Sequence, residues 1–133
     1  MPDAILPGTI GSATLVVGDA DLASAFDTPE DSYPAVYATS KMIALMEVAA
    51  SRVLKPLLGP GELSVGIEVA VQHSAPTPPG AQVRAEARYL GCEGKRHRFD
   101  VVAFDGAGEI GRGTHARAII QKSRLLEGAA RRK

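Results

Sequence analysis

The sequence contains a single cysteine, Cys92, no tryptophan, and few aromatic residues of any kind, which make up 5% of the chain. One cysteine cannot form an internal disulfide, and a free thiol suits a reducing compartment, so we expect a cytoplasmic location. The three histidines and Cys92 also lack the close spacing of metal ligands. The sequence therefore predicts no metal site.

Long apolar runs and an excess of charge of one sign are also missing. No apolar stretch approaches the length that spans a bilayer, and the N-terminus lacks a basic region followed by an apolar run. We therefore expect neither a membrane partner nor a signal peptide. Fifteen basic and fifteen acidic residues give a formal net charge of zero, which argues against a nucleic-acid partner. Phosphate-binding loops and a nucleophile elbow are absent too.

The 133 residues are enough for one domain with a sizeable core, and 45% of them are hydrophobic. We place this domain at residues 1–121. Residues 122–133 contain Arg124, Arg131 and Arg132 and are interpreted as a basic C-terminal tail, either helical or frayed.

Residues 40–54 contain no proline or glycine and are rich in Ala, Leu and Met, which predicts the one long helix. Its apolar residues fill one continuous arc of a helical wheel, and Glu47 falls on the border of that arc. A carboxylate at such a border is a candidate for acid–base chemistry, and the alternative is an ordinary solvated glutamate. Thr39 or Ser40 can cap the helix, and Pro56 should end or kink it.

After the helix, the apolar period changes from 3.6 to 2, which predicts strands. Apolar residues alternate with others over residues 63–71, and His73 stays in phase with the apolar set, so we expect it to face the helix. Further strands are predicted at residues 9–17, 83–89, 96–104 and 110–121, with a hairpin at Asp105-Gly106. One helix against one antiparallel sheet is an α+β layout, and oligomerisation is expected to cover the rest of the sheet.

Three segments of this chain resemble the fluoroacetyl-CoA thioesterase family. They are YATSKMIALME at residues 37–47, VQHSAPTPPG at 71–80 and GTHARA at 113–118, within a similarity that runs from about residue 33 to 120. The resemblance implies a hotdog fold, in which a five-stranded antiparallel sheet wraps one long central helix and two subunits pair. It also implies an acyl-CoA substrate and a homodimer or higher assembly. No cofactor is implied, because coenzyme A is part of the substrate.

The catalytic residues implied by the resemblance are Thr39, Glu47 and His73. Glu47 would act as general base or nucleophile, His73 as acid and base, and Thr39 as a donor to the oxyanion. The spacing supports a meeting of Glu47 with His73 across the helix–sheet contact. Two alternatives stay open, since Thr39 can instead be a helix cap and His73 a structural histidine.

The substrate-binding residues implied by the resemblance are Tyr33, Gly66 and Arg117. Gly66 matches a glycine near the acyl pocket, although a bulge or a close backbone approach would also explain it. Arg117 could instead pair with a carboxylate. Tyr33 matches one of two aromatic residues that gate the pocket of the family, whereas the other position holds Glu30. A carboxylate cannot pack as a dry lid, so we expect a more open pocket or a different loop.

The function implied is hydrolysis of a short or modest acyl-CoA thioester to the free acid and CoA. Two other functions fit the same residues. Hotdog dehydratases, which also pair a histidine with a helix carboxylate, remove water from a 3-hydroxyacyl thioester. A non-catalytic acyl-CoA-binding dimer would keep the pocket without the chemistry.

Overall fold

The structure is a computed structural model that describes residues 4–132. It contains five strands and two α-helices, in the order β1 (Ile10–Val16), α1 (Thr39–Leu54), β2 (Glu62–His73), β3 (Gln82–Glu93), β4 (Arg96–Asp105), β5 (Gly108–Gln121) and α2 (Lys122–Ala130). All strand pairs are antiparallel, and the order across the sheet is β1-β3-β4-β5-β2. The predicted α+β layout is confirmed. In residues 4–132, no helix is long and apolar enough to cross a membrane.

Helix α1 packs its apolar arc against the sheet, as predicted. Its buried residues are Met42, Leu45, Met46, Ala49, Ala50, Val53 and Leu54. Glu47 lies at the edge of this arc, with 39% of its side chain exposed. A 3₁₀ turn at Lys55–Leu57 follows the helix and contains Pro56, which cannot supply an N–H to continue the α-helix.

The strand interpretation holds best for β3 and for the hairpin after β4. Val83, Ala85 and Ala87 are fully buried on β3, while the alternate residues Arg84 and Arg88 are exposed. The β4–β5 turn falls at residues 106–107, as the Asp-Gly signal predicts. The β3–β4 turn is shorter than expected, because β3 continues to Glu93 past a bulge between Tyr89 and Gly91.

Strand β2 does not keep one apolar face along its length, and here the uniform alternation was wrong. A β-bulge shifts the register between Gly66 and Glu68. Before the bulge Gly66 faces the helix, because a side chain there would meet Glu47, so its neighbour Val65 points to the other face. After the bulge the phase reverses, and Val69 pairs with His115 on the inner face. His73 shares that face and contacts α1, as predicted.

Strand β1 approaches α1 so closely that one of its residues has no room for a side chain. A Cβ at Gly11 would lie 2.4 Å from the carbonyl oxygen of Ala49 and 2.7 Å from Cγ2 of Val53. The carbonyl belongs to a hydrogen-bonded helix and cannot rotate away. The absence of a side chain at position 11 therefore sets the distance between β1 and the helix.

We expect Gly11→Ala to lower the free energy of unfolding by about 1–3 kcal/mol, the usual cost of overpacking a close contact. Urea denaturation of wild type and variant measures this difference. The matched control is Gly106→Ala in the β4–β5 turn, where a Cβ would meet nothing within 4 Å. Equal midpoints for Gly11→Ala and Gly106→Ala would show that β1 and α1 can separate at little cost.

Candidate active site

The first group of predicted site residues lies at the start of α1. The hydroxyl oxygen of Thr39 is 2.7 Å from Nδ1 of His73, at the end of β2. The cap position of the helix is Ala38, whose side chain makes no capping hydrogen bond. The alternative in which Thr39 caps the helix is therefore wrong, because its hydroxyl is directed at the histidine.

The second ring nitrogen of His73 has an unusual environment. Nε2 is buried and, within residues 4–132, has no hydrogen-bond partner. Buried polar atoms nearly always have a partner, so a group from outside this part of the protomer is expected to reach it. A shallow cleft of about 330 Å³ adjoins the pair and is lined by residues that include Thr39, His73, Pro34 and Val36.

The second group lies further along α1, where Glu47 meets the bulged part of β2. A Cβ at Gly66 would lie 2.3 Å from Oε1 of Glu47, so the carboxylate occupies the space that a larger residue would fill. Both sequence interpretations of Gly66, a bulge and a close approach, are present at this residue. The glycine lets the carboxylate lie against the sheet while it remains partly exposed.

Arg117 holds the carboxylate from the sheet side. Its Nη1 is 3.4 Å from Oε1 of Glu47, and its side chain is 8% exposed. Nε and Nη2 donate to the hydroxyl and carbonyl oxygens of Ser64 at 3.0 and 2.9 Å. Burial lowers the pKa of the Arg117 guanidinium, and the nearby Glu47 carboxylate opposes that shift. Arg117 therefore pairs with a carboxylate, whereas its contact with a substrate stays a prediction.

His115 belongs to this group, although the sequence analysis did not select it. It is 3% exposed, its Nδ1 is 2.8 Å from the carbonyl oxygen of Glu68, and its Nε2 is 3.2 Å from Nη1 of Arg117. Burial lowers its pKa, so the ring is neutral at neutral pH. The signal that could have revealed it is its position two residues before Arg117, since residues i and i+2 of a strand share a face.

The expected meeting of Glu47 with His73 is not formed within the protomer. Thr39 and Glu47 are eight residues apart on α1, which corresponds to roughly 12 Å along the helix axis. The structure joins Thr39 with His73, and Glu47 with Gly66 and Arg117. Among residues 4–132 it records no hydrogen bond between the two groups.

Tyr33 lies outside both groups. It follows the 3₁₀ turn Ala23–Phe26 in the connection before α1, and 47% of its surface is exposed. Its backbone N–H donates to Oδ1 of Asp27 at 2.7 Å, which folds the connection back on itself. Glu30 in the same connection is also exposed. The role of Tyr33 in a gate stays a prediction.

Comparison with known proteins assigns a family to this arrangement. The family model described as fluoroacetyl-CoA-specific thioesterase matches residues 17–123. A fluoroacetyl-CoA thioesterase from Streptantibioticus cattleyicolor is 46% identical over 95 residues, which cover 71% of this chain and 68% of that protein.

Two solved structures agree with that assignment. A structure of the fluoroacetyl-CoA thioesterase superimposes with a TM-score of 0.93 at 36% identity, covering 98% of this chain and 99% of the other. A thioesterase superfamily member from Thermus thermophilus gives 0.86 at 31% identity, with 97% and 93% covered. The chain therefore belongs to the fluoroacetyl-CoA thioesterase family, a family of thioester hydrolases with the hotdog fold.

Proposed function

We propose that this protein hydrolyses a short or modest acyl-CoA thioester to the free acid and CoA. The observation that carries the proposal is the Glu47 carboxylate, which lies in the gap at Gly66, is paired with Arg117, and remains partly exposed. A carboxylate in this state is oriented and still accessible to water or to a carbonyl carbon. Membership of a family of thioester hydrolases supports the same reaction.

Glu47 has two routes to the products. As general base, it takes a proton from water while the water oxygen bonds to the acyl carbon and the C–S bond breaks. As nucleophile, it attacks that carbon itself, releases the thiolate, and forms a mixed anhydride that water then opens. Both routes give one carboxylic acid and one thiol. In either case Arg117 keeps the carboxylate in place through their ion pair.

His73 and Thr39 would supply the remaining steps at a carbonyl that the Glu47 of a second subunit reaches, since among residues 4–132 no hydrogen bond joins this pair to Glu47. The departing sulfur needs a proton, which a histidine can deliver near neutral pH. Because Nδ1 of His73 is engaged by the Thr39 hydroxyl, Nε2 is the nitrogen left to exchange that proton. Nε2 is buried and has no hydrogen-bond partner among residues 4–132, so the exchange requires that the sulfur or a water molecule reach it. The Thr39 hydroxyl lies at the start of α1, where the positive end of the helix dipole would also stabilise an oxyanion.

We expect Glu47→Gln and His73→Ala each to lower thiol release from acyl-CoA at least a hundredfold. Loss of a general acid or base typically costs about 10²–10⁴ in rate. Acetyl-, butyryl- and aromatic acyl-CoAs are the substrates, and free thiol is the readout. Glu86→Gln is the matched control, because Glu86 pairs with Arg84 away from both groups.

Near-wild-type turnover in Glu47→Gln would return this residue to the role of a solvated glutamate. A 3-hydroxyacyl-CoA, added to the same set of substrates, separates the competing functions. Water loss from a 3-hydroxyacyl-CoA with no thiol release would identify a dehydratase. Binding of acyl-CoA without any turnover would identify a non-catalytic binding dimer.

We also propose that the enzyme does not select strongly for fluorine over hydrogen. Glu30 and Tyr33 are both exposed. The connection that carries them is folded back by the hydrogen bond between the Tyr33 N–H and Asp27. A charged residue at one gate position favours contact with water. An open, wet pocket offers little to distinguish a C–F from a C–H group.

The measurement is kcat/KM for fluoroacetyl-CoA against acetyl-CoA. Fluoroacetyl-CoA is intrinsically the more reactive thioester, so the ratio of the two hydroxide-catalysed rates in the same buffer serves as the control. We expect the enzymatic ratio to exceed this chemical ratio by no more than about tenfold, or 1.4 kcal/mol. A preference of several orders of magnitude would show that the gate works without a second aromatic side chain.

The protein is further proposed to be a homodimer that joins through β2. This strand lies at one edge of the sheet and pairs with β5 on one side only. Ile67 and Val69 on β2 are 45% and 40% exposed, and Val48 of α1 is 40% exposed. A long edge strand with exposed apolar residues is a ready site for strand pairing, and an isologous pair would cover it.

Sedimentation velocity at micromolar concentration is expected to give twice the chain mass for the wild type. Ile67→Lys should shift the protein toward the monomer, because a lysine there would be buried in the interface. Ile10→Lys is the control, since Ile10 is 56% exposed on β1 at the opposite edge of the sheet. A monomeric wild type, or dissociation by Ile10→Lys alone, would contradict pairing through β2.

A further inference from the structure

His115 is a buried histidine to which the proposed reaction assigns no step. It lies on the inner face of β5 and is 3% exposed. The Phe99 ring is 6.2 Å from it between centroids, and a Cβ at Gly66 would lie 3.1 Å from its Cε1. These contacts leave the imidazole little room to rotate.

The hydrogen-bond partners of His115 determine its tautomer. Nδ1 is 2.8 Å from the carbonyl oxygen of Glu68, and a carbonyl oxygen can only accept, so Nδ1 carries the proton. In a neutral ring Nε2 then has a lone pair, and it accepts from Nη1 of Arg117 at 3.2 Å. Burial, which lowers the pKa of His115, keeps the ring in this neutral form.

The ring therefore connects the bulge of β2 to the guanidinium. Glu68, whose carbonyl it engages, is the residue at which pairing with β5 resumes after the bulge. Ser64, on the other side of the bulge, accepts from Nε and Nη2 of Arg117. Nη1 is then shared between His115 and Glu47, so the histidine fixes the one nitrogen that reaches the carboxylate.

We propose that His115 is a positioning residue for the hydrolysis: it holds the Arg117 guanidinium, and through it the Glu47 carboxylate, at the gap left by Gly66. This inference rests on the proposed function. His115 does not touch the reacting atoms. It acts through the position of the whole guanidinium, which is planar. Ser64 holds Nε and Nη2, and His115 holds Nη1, the nitrogen that faces Glu47. Without an acceptor on the ring side, the guanidinium can tilt about its contacts with Ser64 and move Nη1 away from Glu47.

Two substitutions separate the two nitrogens of the ring. His115→Gln can place its amide oxygen near the position of Nε2 and so keep an acceptor for Arg117. His115→Asn can keep a donor to the Glu68 carbonyl, but it is too short to reach Arg117. We expect His115→Asn to lower kcat by about 10- to 100-fold with little change in KM, since a small misplacement of a catalytic group is enough for such a loss. His115→Gln should retain most of the turnover.

A double-mutant cycle tests whether the effect passes through Arg117. In an Arg117→Ala background, His115→Asn is expected to cost nothing further, because there is no guanidinium left to position. Arg112→Ala is the control background, since Arg112 lies on the same strand, is exposed, and pairs with Glu109. There the full effect of His115→Asn should persist. A purely structural role for His115 would give the same loss in both backgrounds.

Nitrogen-15 NMR of the histidine rings tests the placement of His115 independently of turnover. The wild type should show His115 with a proton on Nδ1 and none on Nε2, and the Nε2 signal should shift in Arg117→Ala.

The outcomes separate the two proposals. If the wild type releases no thiol, the proposed function fails and the NMR result alone decides the placement of His115. A proton on Nε2, wild-type kcat in His115→Asn, or equal losses in both backgrounds would overturn the positioning role. If His115→Asn is too unstable to assay, the NMR measurements on the wild type and on Arg117→Ala still test whether Nε2 of His115 accepts from Arg117.

Discussion

The carboxylate of Glu47 occupies the space that a side chain at position 66 would fill, 2.3 Å from where its Cβ would stand. This contact requires a glycine on β2, a bulge that turns that glycine inward, and a cation behind the carboxylate. Arg117 supplies the cation, and it is buried, so it needs other acceptors as well. Ser64 and His115 provide them. One charged group near the sheet thus determines its neighbours on two strands.

Much of the layout could be predicted from the sequence, because local patterns in α1, β3 and the β4–β5 hairpin agree with the final packing. The face of β2 could not, since a period of two assumes one residue per step and a bulge adds an extra residue. Gly66, within a strand that otherwise alternates apolar and polar residues, was the one sign of irregularity. The prediction that Glu47 lies at the border of the apolar arc of α1 is confirmed, but the helical pattern does not identify Arg117 as its partner.

The partners of the site residues also could not be predicted from local sequence patterns. Thr39 at the start of a helix fits a cap by its type, yet its hydroxyl is directed at His73, and only the packing of β2 against α1 reveals this. His115 shows a related limit, because a lone histidine in a strand does not by itself indicate a functional site. Its meaning depends on Arg117 two residues later and on a carbonyl from another strand.

The glycines on the inner face explain why the two groups are held where they are. Gly111 pairs with His73, and a Cβ there would lie 2.6 Å from the sulfur of Met42, so it lets the first turns of α1 rest against the sheet. Gly66 does the same for the turn that carries Glu47. The helix therefore rests against the sheet near Thr39 and again near Glu47, and these two residues stay roughly 12 Å apart along the helix axis.

That separation has a chemical consequence, because a reacting atom must come within about 3–3.5 Å of the groups that act on it. Thr39 and Glu47 of one protomer lie on the same helix, so a movement of the connection before α1 cannot bring them together on a single carbonyl. A second subunit could supply one of the two groups from its own copy. In an antiparallel pairing of two β2 strands, the end of one strand lies beside an earlier part of the other. The proposed dimer would therefore bring one copy's His73 toward the other copy's Glu47. Strand pairing would then explain both the exposed edge at β2 and the separation of the two groups within one protomer.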